Sequence, residues 1–308
     1  VNQLTGTAPN PLPQQYAYAL DVGLVLPASA FAAMAAGHEA QLREDVASEW
    51  GVGNGDTIST TAVNLADGVP EGVSPIRVHA KTPPSAADSG ALAEHGDDPD
   101  GDPTIDIYED LIAQFGIGPE CPTLEDAVAA AASHELVEQR LDPQCDRTAT
   151  LPDGRVVAIE GCDQVQAQTY RKNGVCVSNF NRRSNYSIDS DAPPYDFLGN
   201  LTVQFQCAAG GYEQILDPEQ GWKMITAEHV MQRGRERDLV PSDLGGTGGS
   251  IFDTEIFPRE TTRRIIDSVP NGMLRYRLEL AWRGIGRHVK RKRRHKRHAA
   301  AATPSAPE

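Results

Sequence analysis

The chain has 308 residues, of which 39% are hydrophobic and 6% aromatic, and a formal net charge of -15. This length suits one main domain with long loops and tails, and the core must be built mainly from Ala, Val, Leu and Ile. No apolar run approaches the roughly 18 residues that span a bilayer, so no transmembrane segment is expected. A strongly acidic body is also excluded from binding nucleic acid over its general surface.

Residues 1–15 are rich in Pro and Asn and read as an extended arm. Tyr16 to Leu26 reads as a strand. Ala17 to Ala30 is apolar and ends in small residues, but no basic region precedes it and Asp21 interrupts it, so it reads as a strand leading into a helix and not as a signal peptide. Phe31, Met34, Ala35, His38, Leu42, Val46 and Trp50 recur every three or four residues, the stripe of an amphipathic helix that ends at Gly51. His38 lies on that stripe, which predicts a packed histidine and not a ligand.

Thr57 to Asn64 and Pro75 to Ala80 are short, β-branched and bounded by Gly, Asp and Pro, so both are predicted strands. Lys81 to Pro103 reads as a polar loop, followed by a short strand near Thr104 to Tyr108. Asp97, Asp98, Asp100 and Asp102 alternate as in a calcium loop but lack its closing glutamate, so a flexible acidic turn is expected.

Thr123 opens the next helix with Asp126 three residues on, an arrangement that caps a helix N-terminus. Leu124, Ala127, Val128 and Ala131 form its apolar stripe, and Asp142-Pro143 stops it. Continuing the stripe from Ala131 by three and then four residues reaches His134 and Glu138. Both then point toward the core, where a charged group needs a partner or an ion. Residues four apart on a helix are neighbours, so His134 and Glu138 can grip one cation while Glu135 flanks it. In the H-E-x-x-H pattern two histidines bind zinc and the glutamate is the general base. Here Glu138 stands in for the second histidine. The alternative is an ordinary ion pair on a solvated helix face.

Arg155 to Glu160 and Gly174 to Phe180 are predicted strands, and between them Glu160-Gly161-Cys162-Asp163 offers Glu160 and Asp163 as further ligands. Thr202 to Gln206 and Tyr212 to Leu216 are predicted to form a hairpin. Beyond residue 220 come an extension with short helices (221–282), including the Gly-rich linker Gly245 to Ser250, and a basic disordered tail (283–308). Arg283, Arg287, Lys290, Arg291, Lys292, Arg293, Arg294, Lys296 and Arg297 carry nine positive charges, and subtracting them leaves -24 for the rest. The run Lys290, Arg291, Lys292, Arg293, Arg294, Lys296, Arg297 has no interleaved aromatics, so any binding to nucleic acid or an anionic surface should be salt-sensitive and sequence-blind.

Cys121, Cys145, Cys162, Cys176 and Cys207 are odd in number and show no C-x-x-C spacing, which excludes a zinc ribbon. One or two disulfides are compatible with the sequence: Cys121 and Cys145 flank the metal helix, and Cys162 and Cys176 flank a predicted hairpin.

Several of these segments, taken in order, resemble a family of phage and bacterial zincin-like proteins. The words that carry the resemblance are Ser133-His134-Glu135-Leu136-Val137-Glu138 with Asp142-Pro143, then Glu160-Gly161-Cys162-Asp163-Gln164-Val165-Gln166 and Gly174-Val175-Cys176-Val177-Ser178-Asn179-Phe180. Tyr195 to Gly199 and Gly210-Gly211-Tyr212 complete the set. The likeness covers Tyr16 to Leu216 and extends distantly to exordium-like secreted proteins. It implies an α+β zincin-like domain (16–220) whose mixed sheet packs against the metal helix, and a virion-associated or secreted setting. It also implies a metal held by His134, Glu138 and an acid of the Glu160–Asp163 segment, with Glu135 as the base.

The chain departs from the family in two places. Where the family has Gly-Tyr-His, the nearest segment here is Ala93-Glu94-His95-Gly96, which leaves His95 as a ligand, a substrate-side residue or an exposed loop histidine. The aromatic pair after the Ser-Asn-Phe strand is replaced by Asn185-Tyr186.

Zinc is the first expectation for the ion. One histidine and two carboxylates would cancel its charge and weaken its Lewis acidity, and oxygen ligands favour Mn, Ca or Fe as alternatives. The expected activity is that of a metallopeptidase in which Glu135 takes a proton from the attacking water. The competing expectation is a metal-stabilised structural or binding protein, for example of a virion, with Glu135 in a supporting position.

Overall fold

A computed structural model describes residues 4–84, 86, 91–97, 102–150, 155–187, 193–217 and 221–226. All but 83, 84, 86 and 91 fall in one unit, and the candidate site lies wholly within it. The helices expected near 261–282, the Gly-rich linker and the basic tail lie outside the described residues.

In chain order the first half comprises β1 (Leu4–Thr5), β2 (Gln15–Leu20), α1 (Ala28–Ala40), a wide helical turn (Gln41–Val46), α2 (Ala47–Trp50), β3 (Thr57–Asn64), β4 (Ser74–His79), β5 (Ala93–Asp97) and β6 (Pro103–Tyr108). The second half comprises α3 (Glu109–Phe115), α4 (Leu124–Leu141), β7 (Thr148–Thr150), β8 (Val156–Ala158), β9 (Thr169–Lys172), β10 (Val175–Ser178), β11 (Tyr212–Asp217) and β12 (Gly221–Thr226). The class is mixed α+β.

One sheet runs β3-β2-β4-β6-β5; its first four strands are parallel and β5 lies antiparallel on the edge. A second sheet, β1-β7-β8-β11-β12, is antiparallel, and β9 and β10 form a separate hairpin. Parallel strands are usually covered on both faces and read as continuous apolar runs. Here Tyr16, Ala17, Tyr18 and Ala19 are all buried in β2. The core is aliphatic over most of its volume, with Tyr18, Phe31, Tyr108 and Phe180 fully buried within it.

The helical stretch 28–50 shows how spacing dictates local geometry. From His38 the stripe of Leu42, Val46 and Trp50 steps by four, with Gln41 and Asp45 buried beside it. In a regular α-helix four residues overshoot a full turn by about 40°, so a stripe of fours drifts off the core. Underwinding over Gln41–Val46 corrects the drift, and all four side chains stay inside. His38 is packed, with Nδ1 2.8 Å from the Tyr18 hydroxyl, and burial lowers its pKa to about 4.

Three expectations are corrected. The strand begun at Tyr16 stops at Leu20, and the segment toward Leu26 is irregular; the amides of Val25 and Leu26 donate to the Glu109 carboxylate. The loop Lys81 to Pro103 contains β5, which pairs residue by residue with β6. The hairpin of Thr202–Gln206 with Tyr212–Leu216 does not form. Residues 202–206 form no strand and turn at 204–205, and β11 pairs instead with β12 and β8, while the Gly211 backbone packs on Gln164 in the loop after Asp163.

All five cysteines are free thiols. The two sulfurs that approach each other are those of Cys121 and Cys176, 3.5 Å apart, one from each of the flanking pairs suggested by the sequence.

Helix α4 positions the site. Thr123 Oγ1 accepts from the Asp126 amide at 3.0 Å, capping the N-terminus, and the helix ends at Leu141 before Asp142-Pro143. It packs on β5, β6, β10 and α3. From Ala132 to Leu141 every residue is buried, polar ones included, and each buried polar group costs free energy unless it is partnered. Ser133 Oγ donates to Gln41 Oε1 at 2.7 Å and accepts from the Ser178 amide at 2.9 Å. Arg140 Nε reaches Asp56 Oδ2 at 2.7 Å, and its other nitrogens donate to the carbonyls of Asn10 and Leu12. Arg140 therefore ties the N-terminal arm to the body.

Candidate metal centre

His134 and Glu138 lie one turn apart on the inner face of α4, as their i,i+4 spacing requires. His134 Nε2 is 3.2 Å from Glu138 Oε2 and 3.3 Å from Asp163 Oδ1. A cation with ligand bonds of about 2.0–2.2 Å in tetrahedral geometry holds its ligand atoms roughly 3.3–3.6 Å apart. The two contacts of His134 are close to that spacing, the ligand atoms of His134, Glu138 and Asp163 all lie within 4.8 Å of one another, and all three residues are buried.

Asp163 arrives at this point because its loop is held on several sides. The Cys162 amide donates to Glu138 Oε1 at 2.9 Å, which fixes the carboxylate and leaves Oε2 facing His134. The Asn181 amide donates to the Gly161 carbonyl, and the Tyr186 hydroxyl donates to the Glu160 carbonyl. Gly161 lets the loop lie close to the helix, since a Cβ on it would lie 2.6 Å from Leu141 Cδ1 and the buried Leu141 side chain would have to shift. Behind Asp163, Gln164 Oε1 accepts from the side-chain amides of Asn181 and Asn185, and its Nε2 donates to Glu213.

Glu160 does not join the triad of His134. It forms a second grouping with His95 and Glu138. His95 Nε2 is 3.9 Å from Glu160 Oε2, and His95 Nδ1 is 3.2 Å from Glu135 Oε2. His95 is thus neither exposed nor in a loop: strand β5 carries it into the cluster, where its side chain is 6% exposed. The sequence signal for that strand is the short apolar run Ala91-Leu92-Ala93, set among Gly, Pro and Asp that read as a polar loop. The Gln164, Asn181 and Asn185 network carries no periodic signal at all.

Electrostatics and orphaned atoms both fit a cation. Burial works against a charged His134, but Glu138 and Asp163 beside it reverse this and hold its pKa well above the usual histidine range. Burial raises Glu138, reinforced by Asp163 and Glu135 and opposed by His134; burial and the charge of Glu138 raise Glu160 well above the carboxylate range. His95 Nε2, Glu160 Oε2 and Asp163 Oδ1 are buried and receive no well-aligned hydrogen bond. The donor set of imidazole and carboxylate is one that binds divalent ions.

Lys290, Arg291, Lys292, Arg293, Arg294, Lys296 and Arg297 lie outside the described residues. Among the described residues no helix is long and apolar enough to cross a membrane. Comparison with family models, curated proteins and solved structures gives no match.

Proposed function

We propose that this protein is a zincin-like metal-dependent hydrolase that cleaves amide bonds in peptide substrates. The observation that carries the reading is the buried meeting of His134 and Glu138 with Asp163, 3.2 and 3.3 Å apart, beside Glu135 on the same helix. A divalent ion held there, zinc in the first instance and Mn, Ca or Fe otherwise, would supply Lewis acidity and acidify a coordinated water.

The protein's own groups do the rest. Glu135 accepts the proton of the attacking water and later returns it to the leaving amine. His95, 3.2 Å from Glu135 Oε2, orients that carboxylate. The carboxylates of Glu138 and Asp163 reduce the ion's net charge, so the centre favours a slow or specialised hydrolase over a histidine-rich one.

The test is Glu135→Gln in the full chain, assayed on a fluorogenic peptide library after metal analysis. The variant should keep its metal and lose about 10²-fold or more in rate, the usual scale for a general base. Hydrolysis at the wild-type rate would remove Glu135 from the chemistry.

A second reading is favoured by one feature, the near-closure of the site: the Glu138 and Asp163 side chains are each 4% exposed. A metal-stabilised structural or binding protein would lose melting temperature on chelation and show no hydrolysis in any condition.

A further inference from the structure

We infer that the cluster is a two-cation site, with His134, Glu138 and Asp163 on one ion, His95, Glu138 and Glu160 on the other, and Glu138 as the bridge. This rests on the metal-centre reading above and extends it from one ion to two.

Three observations carry it. The two groupings are each self-sufficient, with their ligand atoms all within 4.8 Å, and they share only Glu138. Glu138 Oε1 is taken by the Cys162 amide, so Oε2 is the atom left to face both sides; it lies 3.2 Å from His134 Nε2, and one ligand atom from each of His95, Glu138 and Glu160 falls within 4.8 Å of the other two.

The second grouping also has its own buried orphans. His95 Nε2 and Glu160 Oε2 face each other at 3.9 Å with no hydrogen bond to either. In the tautomer in which His95 Nδ1–H donates to Glu135, 3.2 Å away, Nε2 keeps its lone pair, the arrangement by which a carboxylate orients a metal-binding histidine. The 3.9 Å separation is wider than in the first grouping. It suits either a small shift of two side chains or an ion with longer bonds, such as Mn2+ or Ca2+.

Charge points the same way. Glu135, Glu138, Glu160 and Asp163 place four carboxylates in one cluster with side chains at most 15% exposed. With all four ionised and both histidines neutral as ligands, one divalent cation leaves two negative charges uncompensated in a poorly solvated space, which is costly. Two divalent cations bring the sum to zero.

The experiment is metal stoichiometry on the full chain, by equilibrium dialysis against Zn2+ and by Mn2+ titration followed by electron paramagnetic resonance. Wild type is expected to bind two ions, with an exchange-coupled manganese signal that appears as the second equivalent is added. His95→Ala and Glu160→Gln, each checked for folding by circular dichroism, should both bind one ion and give no coupled signal. Glu138→Gln should abolish the coupling. A wild type that saturates at one ion overturns the inference and leaves the single-metal hydrolase standing, whereas a wild type that binds none overturns both. Two ions retained in both His95→Ala and Glu160→Gln, without coupling, would place the second ion elsewhere, for instance on the tail histidines His288, His295 and His298, and also overturns it.

Discussion

Replacing Gly211 by alanine should damage the candidate metal centre from behind. The Gly211 amide donates to the Ala208 carbonyl and the Ala208 amide donates to the Gln164 carbonyl, so this backbone lies flat on the loop that carries Asp163. An added Cβ would sit 2.0 Å from Gln164 O, 2.5 Å from Gln164 C and 3.1 Å from Asp163 O. All three are backbone atoms, and no flexible side chain can swing away to make room. The gap must open by about 1 Å before it reaches even a tight contact, and overpacking of this kind costs about 1–3 kcal/mol. At about 2–4 °C per kcal/mol for a domain of this size, the melting temperature should fall by roughly 2–12 °C.

The same displacement reaches Asp163, one residue before Gln164. Widening its 3.3 Å approach to His134 should cost at least about tenfold in zinc affinity, or roughly 1.4 kcal/mol. Thermal unfolding by circular dichroism and zinc titration calorimetry read the two effects. Gly118→Ala is the control, since a Cβ there meets nothing within 4 Å, and it should stay within about 0.5 kcal/mol of wild type. If Gly211→Ala melts with the wild type and binds zinc equally well, the loop is not held in place by this contact.

Arg140→Leu should destabilise the protein by about 3–5 kcal/mol, because it strands the fully buried Asp56 carboxylate; urea unfolding should show Arg140→Leu/Asp56→Leu recovering part of that loss, and an unaltered midpoint in the single variant would contradict the pairing. Glu213 carries a pH dependence of definite sign. Burial raises its pKa to about 8, against the charge of Arg155 and the hydrogen bond from Gln164. The folded state therefore holds a proton that the unfolded state releases near 4.5, so this contribution is full below about pH 4.5 and is lost as pH rises through about 8. Wild type should lose on the order of 4 kcal/mol relative to Glu213→Gln between pH 5 and 9. Parallel urea stabilities of the two proteins across that range would show that Glu213 is solvated.

The parts of the protein that the sequence determined by itself are those governed by neighbours along the chain. Thr123 caps α4 because its hydroxyl meets an amide three residues on, Pro143 ends the helix because it cannot continue the ladder, and His134 meets Glu138 because a helix stacks residues four apart. Strand β3 is legible over its whole length for a similar reason, with β-branched residues between turn formers.

What the tertiary structure decided are pairings across long loops. His95 enters the cluster only because β5 finds the edge of β6, a backbone pairing to which the Glu94, His95 and Gly96 side chains give no pattern. The assignment of Asp163 to one grouping and Glu160 to the other depends on a bend at Gly161 that presses the loop on Leu141. Cys121 and Cys176 approach through a hairpin whose packing no spacing of cysteines encodes. A contact between residues four apart is set by the helix alone. A contact between residues 40 apart, as from His95 to Glu135, is set by which surfaces bury each other, and that depends on the whole chain at once.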